Sequence, residues 1–345
     1  MMLTKEQNDA VHQLLKYRHR DQVQSLGGLA GTGKTTCMAV LADALPEFAV
    51  CAYTGKACHV LRRKGVGAVT IHNLIYQPTP TLYGGAAFQR KPRHEIGCQG
   101  ILIDEASMVS KQIYDDLCSY GLPIIFVGDH GQLPPVGSDV HVMADPDYRL
   151  ETIHRNAAEI AHFAQHIRKG KLPRKFPAQK RVHFVNPDRL PNDTLLSADQ
   201  VICAFNQTRV GINKRVRRLL GRKQLIEPGD RLICLRNHRN AGLFNGQQGV
   251  VSRPPRKDHL DFVDDDGREY RDLPYDPLQF GKRTYQHNWE PRHPFDYGYV
   301  VSCHKAQGSE WRHVLVQEQY SPFWEMRRWT YTAASRAQET LTWAL

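Results

Sequence analysis

Gly28-Leu29-Ala30-Gly31-Thr32-Gly33-Lys34-Thr35-Thr36 decides how the rest of the chain is read. It matches the phosphate-binding pattern G-x-x-x-x-G-K-[ST] without a mismatch. The glycines allow backbone torsions that side chains would block, so successive N–H groups can turn onto phosphate oxygens. Lys34 can reach terminal phosphates as a point charge, and the Thr35 hydroxyl can sit on a magnesium ion. A helix starting near Lys34 would aim its positive dipole end at the anion.

The flanks agree with this reading. Residues 23–27 read as a short buried strand, and residues 36–45 read as a helix stopped by Pro46. Further on, Gly100-Ile101-Leu102-Ile103-Asp104-Glu105 is an apolar strand ending in two carboxylates. By itself that is only a polar strand end. Beside a phosphate loop it has a specific use, with Asp104 ordering magnesium and Glu105 activating the attacking water. A third strand, residues 123–129, leads into Asp129 and Gln132. Strands alternating with helices predict a parallel sheet covered on both faces, with ligands at the carboxyl ends of the strands. Lys34, Thr54, Asp104, Asp129 and Gln132 all fall at or just past such ends.

At 345 residues, 41% of them hydrophobic, the chain is long enough for about two domains with their own cores. No apolar run approaches a membrane span, and the first residues do not read as a signal peptide. The eight cysteines lack a C-x-x-C pair and many lie in strand-like runs, so they read as reduced and buried, with no zinc site. The formal charge of +11 suits a polyanionic partner, although a basic face is often only a solvated one.

Thr4 caps an opening helix with Gln7 at capping-box spacing. Residues 56–64 form a basic helix closed by Gly65, and residues 69–72 an extended piece. Residues 76–97 are an excursion that fits a hairpin turning at Gly84-Gly85. A second unit is expected from residue 150, with a helix over 157–169, a strand over 200–206 and a strongly basic helix over 207–220. Residues 222–296 read as a small inserted β-domain, rich in turn signals. A buried strand is then expected over 297–304, another over 313–316, and a helix over 331–336. The late tryptophans 311, 324, 329 and 343 read as core.

Taken in order, these motifs resemble the superfamily 1 DNA helicases, in particular the B branch that includes the exodeoxyribonuclease V alpha subunit and small phage helicases. The resemblance runs from Thr4 to Arg336. Gly128-Asp129 with Gln132-Leu133-Pro134-Pro135 is its most branch-specific string. By this resemblance Gln7 reads adenine, Gly28, Gly31, Thr32, Gly33, Lys34, Thr35 and Thr36 hold the phosphates, and Gln132 senses the terminal phosphate. Thr54 and Lys56 resemble motif Ia and His72 the DNA-contacting motif after it. Arg155 resembles the motif IV arginine, His304, Gly308 and Glu310 lie in a motif V, and Ser335-Arg336 is similar to motif VI. Asn156 stands where glutamine is more usual, and Ser302 and Cys303 where threonine and an aliphatic residue are common.

What the resemblance implies is an α/β fold of two RecA-like parallel-sheet domains. The first would span 1–149 and the second 150–221 with 297–345. A small Src-homology-3-like β-barrel would be inserted at 222–296. ATP and Mg2+ are the implied cofactors. ATP would be clamped between the two domains, with Arg155 and Arg336 reaching from the second. Single-stranded DNA and duplex junctions are the implied partners, contacted by Thr54, Lys56, His72, His304 and the basic helices. A monomer moving 5′-to-3′ in the cytosol, loaded by a partner subunit or a single-strand-binding protein, fits the same family. An RNA helicase of this superfamily, a nucleotide switch or small-molecule kinase, and a decayed ATPase that only binds single strands stay open as alternatives.

Overall fold

The computed structural model describes residues 3–18, 22–80, 86–135, 142–154, 158–237, 241–284, 292–322 and 324–345. Its contacts divide the chain into two units, Met1–Ala161 and His162–Leu345.

Unit 1 runs α1 (Lys5–Tyr17), β1 (Val23–Gly28), α2 (Lys34–Ala44), β2 (Phe48–Ala52), α3 (Gly55–Arg63), β3 (Ala68–Thr70), α4 (Ile71–Ile75), β4 (Tyr76–Pro80), β5 (Ala86–Arg90), β6 (Gly100–Asp104), α5 (Lys111–Cys118), β7 (Ile124–Gly128) and β8 (Tyr148–Leu150). Six strands form one parallel sheet in the order β3-β2-β6-β7-β1-β8. Side chains of a strand alternate between faces, and here both faces are buried. Ile124 and Phe126 of β7 join one core with Ile113 and Leu117 of α5. Ile125 and Val127 join the other with Leu14 of α1, Met38 of α2 and Leu61 of α3. This is why β6 and β7 read as unbroken apolar runs rather than alternating ones.

The excursion is an antiparallel pair of β4 and β5; its expected turn at Gly84-Gly85 lies outside the described residues. His72 is not extended as expected but sits on α4, whose first turn Thr70 caps by accepting from Asn73 N. The expected domain boundary at 149/150 falls inside β8, which pairs with β1. Unit 1 therefore extends past β8.

The division falls inside α6 (Ala158–Arg168), and unit 2 then runs β9 (Val182–Val185), α7 (Asn192–Ser197), β10 (Gln200–Cys203), α8 (Asn206–Leu219), β11 (Arg231–Cys234), β12 (Gln248–Val251), β13 (His259–Asp264), β14 (Glu269–Pro274), β15 (Phe295–Tyr297), β16 (Val300–Ser302), α9 (Cys303–Ala306), β17 (Trp311–Gln317), α10 (Met326–Ala334) and β18 (Ala337–Ala344). It holds a parallel sheet in the order β16-β10-β17-β18-β9 and an antiparallel one in the order β14-β13-β12-β11-β15. The antiparallel strands alternate, with Leu260 and Phe262 turned into their own core. Its outer strands β14 and β15 are not neighbours in the sheet order, and only a parallel bridge between Tyr275 and His293, with His293 N donating to Pro274 O at 2.7 Å, links their ends among the described residues.

The single strand expected over 297–304 is two strands in different sheets. β15 pairs with β11, and β16 pairs with β10. Between them Gly298 donates its N–H to Arg231 O at 2.8 Å, so close to Leu232 that a Cβ would meet that backbone. The basic helix α8 also differs from expectation. Arg209 pairs with Asp296, and Arg217 is bidentate to Asp230 at 3.0 Å while its guanidinium lies 4.5 Å from the Tyr297 ring. Arg215 donates to Leu190 O and Asn192 Oδ1. These three cations dock the helix onto its own unit, while Lys214 and Arg218 of the same helix are exposed.

Candidate functional site

The phosphate loop joins β1 to α2, and its torsions are those the glycines were expected to supply. Gly31 and Gly33 have φ of 84° and 85°, a region that other residues enter only with strain. A Cβ on Gly33 would overlap the Gln7 amide, and one on Gly28 would overlap the Thr32 hydroxyl. Thr32 closes the loop by donating to Leu29 O at 2.9 Å. Lys34 donates to Gly28 O and Leu29 O at 2.8 and 3.0 Å, so its ammonium rests on the loop it serves. Thr35 and Thr36 lie in the first turn of α2, and Gly33 O accepts from Thr36 N.

Gln7 closes the expected cap and also reaches the loop. It completes the capping box, its Oε1 accepting from Thr4 N at 3.0 Å. Its Nε2 donates to Thr32 O at 2.9 Å, which fixes it against the loop. Glu6, one residue earlier, accepts from Glu151 N and Thr152 N. Burial raises its carboxyl, but those N–H groups outweigh burial and hold it below the usual range. His154 N then donates to Gly31 O at 2.9 Å, bringing the chain just before position 155 onto the loop. Arg155 itself lies outside the described residues.

The adjacent strands β7 and β6 bring the carboxylates. Asp129 is fully buried, with its Oδ2 4.0 Å from Lys34 Nζ and 3.3 Å from Gln132 Nε2, and its Oδ1 accepting from Gly131 N. Asp129 was read from the sequence as a strand end and as part of the Gly-Asp-x-x-Gln string, without a role of its own. Asp104 is also buried and accepts from Glu105 N at 2.9 Å. Burial pushes its carboxyl up, against the Glu105 N–H and the Lys34 charge, which pull it down. Glu105 has φ of 53°, the left-handed region, in a residue with a side chain. Such a conformation costs on the order of 1–3 kcal/mol and collects at functional sites. Gly128 lets β7 pass this turn, since a Cβ there would meet Ala106 N and Ser107 N.

The remaining expected residues fall in two groups. In unit 1, Thr54 caps α3 by accepting from Ala57 N, and Lys56 is half-buried on the same helix. His72 lies among Tyr53, Tyr76 and Phe88, and burial holds its imidazole below the usual value. In unit 2, His304 is on α9, Gly308 turns after it with φ of 72°, and exposed Glu310 accepts from Gln338 Nε2. Arg336 is buried. It donates to Thr332 O, Ser309 O and Ser335 Oγ, and no carboxylate pairs with it among the described residues.

Loop, lysine, paired carboxylates and a parallel sheet define unit 1 as a P-loop nucleotide-binding domain. An AAA domain family matches residues 2–187, and a UvrD-like helicase C-terminal domain matches residues 297–342. The chain belongs to the superfamily 1B helicases. It is 27% identical to the ATP-dependent RecD2 DNA helicase of Deinococcus radiodurans, over 98% of this chain and 48% of that protein. It is 28% identical to the ATP-dependent DNA helicase dda of Enterobacteria phage T4, over 49% of this chain and 43% of that protein. The chain thus spans about half or less of the curated relatives it matches. The solved structure of Pif1 helicase from Bacteroides in complex with ADP-AlF3 and ssDNA shares its fold, with a TM-score of 0.66 at 20% identity over 99% of this chain and 92% of that one. None of the helices described is long and apolar enough to cross a membrane.

Proposed function

We propose that this chain is an ATP-dependent DNA helicase or translocase that hydrolyses ATP to move along single-stranded DNA and part duplex junctions, 5′-to-3′ as its family implies. The observation that carries the reading is the arrangement at the sheet edge: Lys34 on the loop, Asp129 and Gln132 behind it, and Asp104-Glu105 on the neighbouring strand.

The donor set suits a magnesium ion. One buried carboxylate and one hydroxyl, Asp104 and Thr35, are hard oxygen ligands that leave room for substrate phosphates and water. A bound magnesium ion would neutralise charge on those phosphates. Lys34 leaves the loop carbonyls for the terminal phosphate oxygens, and Asp129 steadies its ammonium. Gln132 reports whether that phosphate is present. Glu105 takes a proton from the attacking water. Arg155 and Arg336 offset the negative charge that develops in the transition state; that no carboxylate pairs with buried Arg336 among the described residues supports this role. The chain works as a cytosolic monomer, loaded by a partner subunit or a single-strand-binding protein.

The test is ATP hydrolysis by the purified chain in magnesium, with and without single-stranded DNA and RNA oligomers. Strong stimulation by DNA is expected, followed by unwinding of a 5′-tailed duplex. Bound ATP without stimulation by either oligomer would remove the motor reading in favour of a nucleotide switch.

A further inference from the structure

Two carbonyl oxygens at the crest of the phosphate loop are each met by a donor from elsewhere in unit 1. Thr32 O accepts from Gln7 Nε2 at 2.9 Å, and Gly31 O accepts from His154 N at 2.9 Å. In a trans peptide the C=O and the N–H point opposite ways, and no peptide is cis among the described residues. Holding Thr32 O therefore aims the Gly33 N–H, and holding Gly31 O aims the Thr32 N–H. The Thr32 N–H does turn into the loop, 3.2 Å from Leu29 O. Glycines flank these peptides at positions 31 and 33, where the backbone is freest to swing, so an outside grip is what fixes their direction.

The grip on Gly31 is itself held. His154 ends a segment without regular structure, residues 151–154, which leaves the three-residue strand β8. Glu6 takes the first two N–H groups of that segment, one oxygen accepting from Glu151 N at 2.8 Å and the other from Thr152 N at 3.2 Å. An acid in the first turn of a helix needs only the helix dipole to account for it. Glu6 does more, because its carboxylate reaches backbone 145 residues further along the chain. It also stands next to Gln7, so one turn of α1 serves both crest carbonyls. Gln7 acts on Thr32 directly, and Glu6 acts on Gly31 through the segment that carries His154.

We propose that Glu6 is a positioning residue for phosphate binding, holding residues 151–154 as a strap along the outside of the loop. The strap's His154 N–H sets the Gly31 peptide and with it the inward aim of the Thr32 N–H. Glu6 itself touches no phosphate. A carboxylate suits the task, since its two oxygens can take two successive N–H groups in charge-assisted bonds. The strap acts on the part of the loop that meets phosphate and not on the base. Its loss therefore weakens adenine and guanine nucleotides by the same factor, which sets it apart from Gln7. The inference rests on the reading of unit 1 as the nucleotide site of a helicase and adds a residue to that site.

The test measures the affinity of the full chain for ADP and for GDP, each with magnesium, by titration calorimetry, with thermal melts of the nucleotide-free protein beside it. Glu6→Ala should weaken both nucleotides about tenfold, the scale of one hydrogen bond to a charged group. Glu6→Gln keeps one accepting oxygen and should fall between Glu6→Ala and wild type. His154→Pro removes the strap's donor and leaves Glu6 in place; it should lose as much as Glu6→Ala. The double variant should bind no more weakly than His154→Pro alone, because residues that act through one another are not additive. If Glu6→Ala does not fold, Glu6→Gln and His154→Pro keep the test in force. The strap is overturned if the variants melt earlier yet hold both nucleotides as wild type does, which would leave Glu6 a purely structural acid. It is also overturned if ADP is weakened more than GDP, which would place the effect on the base through Gln7, or if the two losses add in the double variant. None of these outcomes touches the helicase reading, which falls instead if wild type binds neither nucleotide.

Discussion

Lys34 Nζ stands 4.0 Å from Asp129 Oδ2 while its hydrogen bonds go to the carbonyl oxygens of Gly28 and Leu29. The lysine is therefore held close to two buried carboxylates, Asp129 and Asp104, without a short ion pair to either. A loosely held cation can transfer to a phosphate at little cost, whereas a tight pair would compete with the substrate. Lys34→Ala should lower ATP turnover by about a hundredfold or more, the scale seen when one transition-state donor is removed. Asp129→Asn keeps the shape but loses the charge that steadies Lys34 and orients Gln132. It should lower turnover less than Lys34→Ala does. Steady-state hydrolysis of both variants checks the order, and equal turnover to wild type in Asp129→Asn would remove that residue from the site.

Asp104 should make the protein less stable in exchange for function. Its carboxyl is raised by burial, so ionising it in the folded chain costs free energy. A folded pKa above the unfolded value means that the contribution to stability is present at low pH and is lost as pH rises through the folded value. Asp104→Asn should then raise the melting temperature of the nucleotide-free protein at neutral pH. The gain should shrink as pH falls and vanish well below about 4, where the wild-type group is protonated in both states. The same variant should abolish magnesium-dependent hydrolysis. Thermal melts across that pH range, with hydrolysis measured beside them, check both halves.

Much of unit 1 was legible because its signals are local. A glycine pattern, a helix start and an apolar strand ending in carboxylates each occupy a few residues, and the sheet then brings Lys34, Asp129 and Asp104 to one edge. What escaped depends on partners far away in sequence. The apolar run at 297–304 looks the same whether it pairs with β11 or with β10, so its split at Gly298 left no mark. The arginines of α8 look like a nucleic-acid face until Asp296 and Asp230 arrive from the inserted sheet. Trp324 shared its composition with Trp329 and Trp343, and only its exposure separates them. The boundary at 150 was missed because β8 is a three-residue strand whose pairing with β1 no short pattern announces.

Gln7 joins folding to substrate choice, and its two duties can be separated. It closes the capping box with Thr4 and also reaches Thr32 O on the loop. Thr4→Ala removes the cap alone and should cost about 1 kcal/mol of stability with little change in KM for ATP. Gln7→Ala removes both, so it should show a similar loss of stability together with a raised KM and weaker preference for ATP over GTP. Melting curves and KM values for the two nucleotides distinguish the cases. If Gln7→Ala matches Thr4→Ala in every readout, the residue is only a cap.

Arg336 tests the second unit. Its guanidinium donates to Ser309 O, Thr332 O and Ser335 Oγ at 3.2, 3.1 and 2.9 Å. Three fixed acceptors orient the fork but do not neutralise it, so the charge remains available to an anion. Arg336→Ala should leave ATP binding nearly intact and lower turnover by about 10³-fold or more, as removal of an arginine finger does. Arg336→Lys keeps the charge, but one ammonium cannot fill three acceptors set for a planar fork, so turnover should stay low. Ser335→Ala removes one acceptor and leaves the arginine; it should cost about 1 kcal/mol of stability and only a small part of the activity. Nucleotide binding by fluorescence and single-turnover hydrolysis separate the three. Turnover in Arg336→Ala equal to wild type would mean that the buried guanidinium only braces α10 against the turn at Gly308, and the charge for the transition state would have to come from elsewhere.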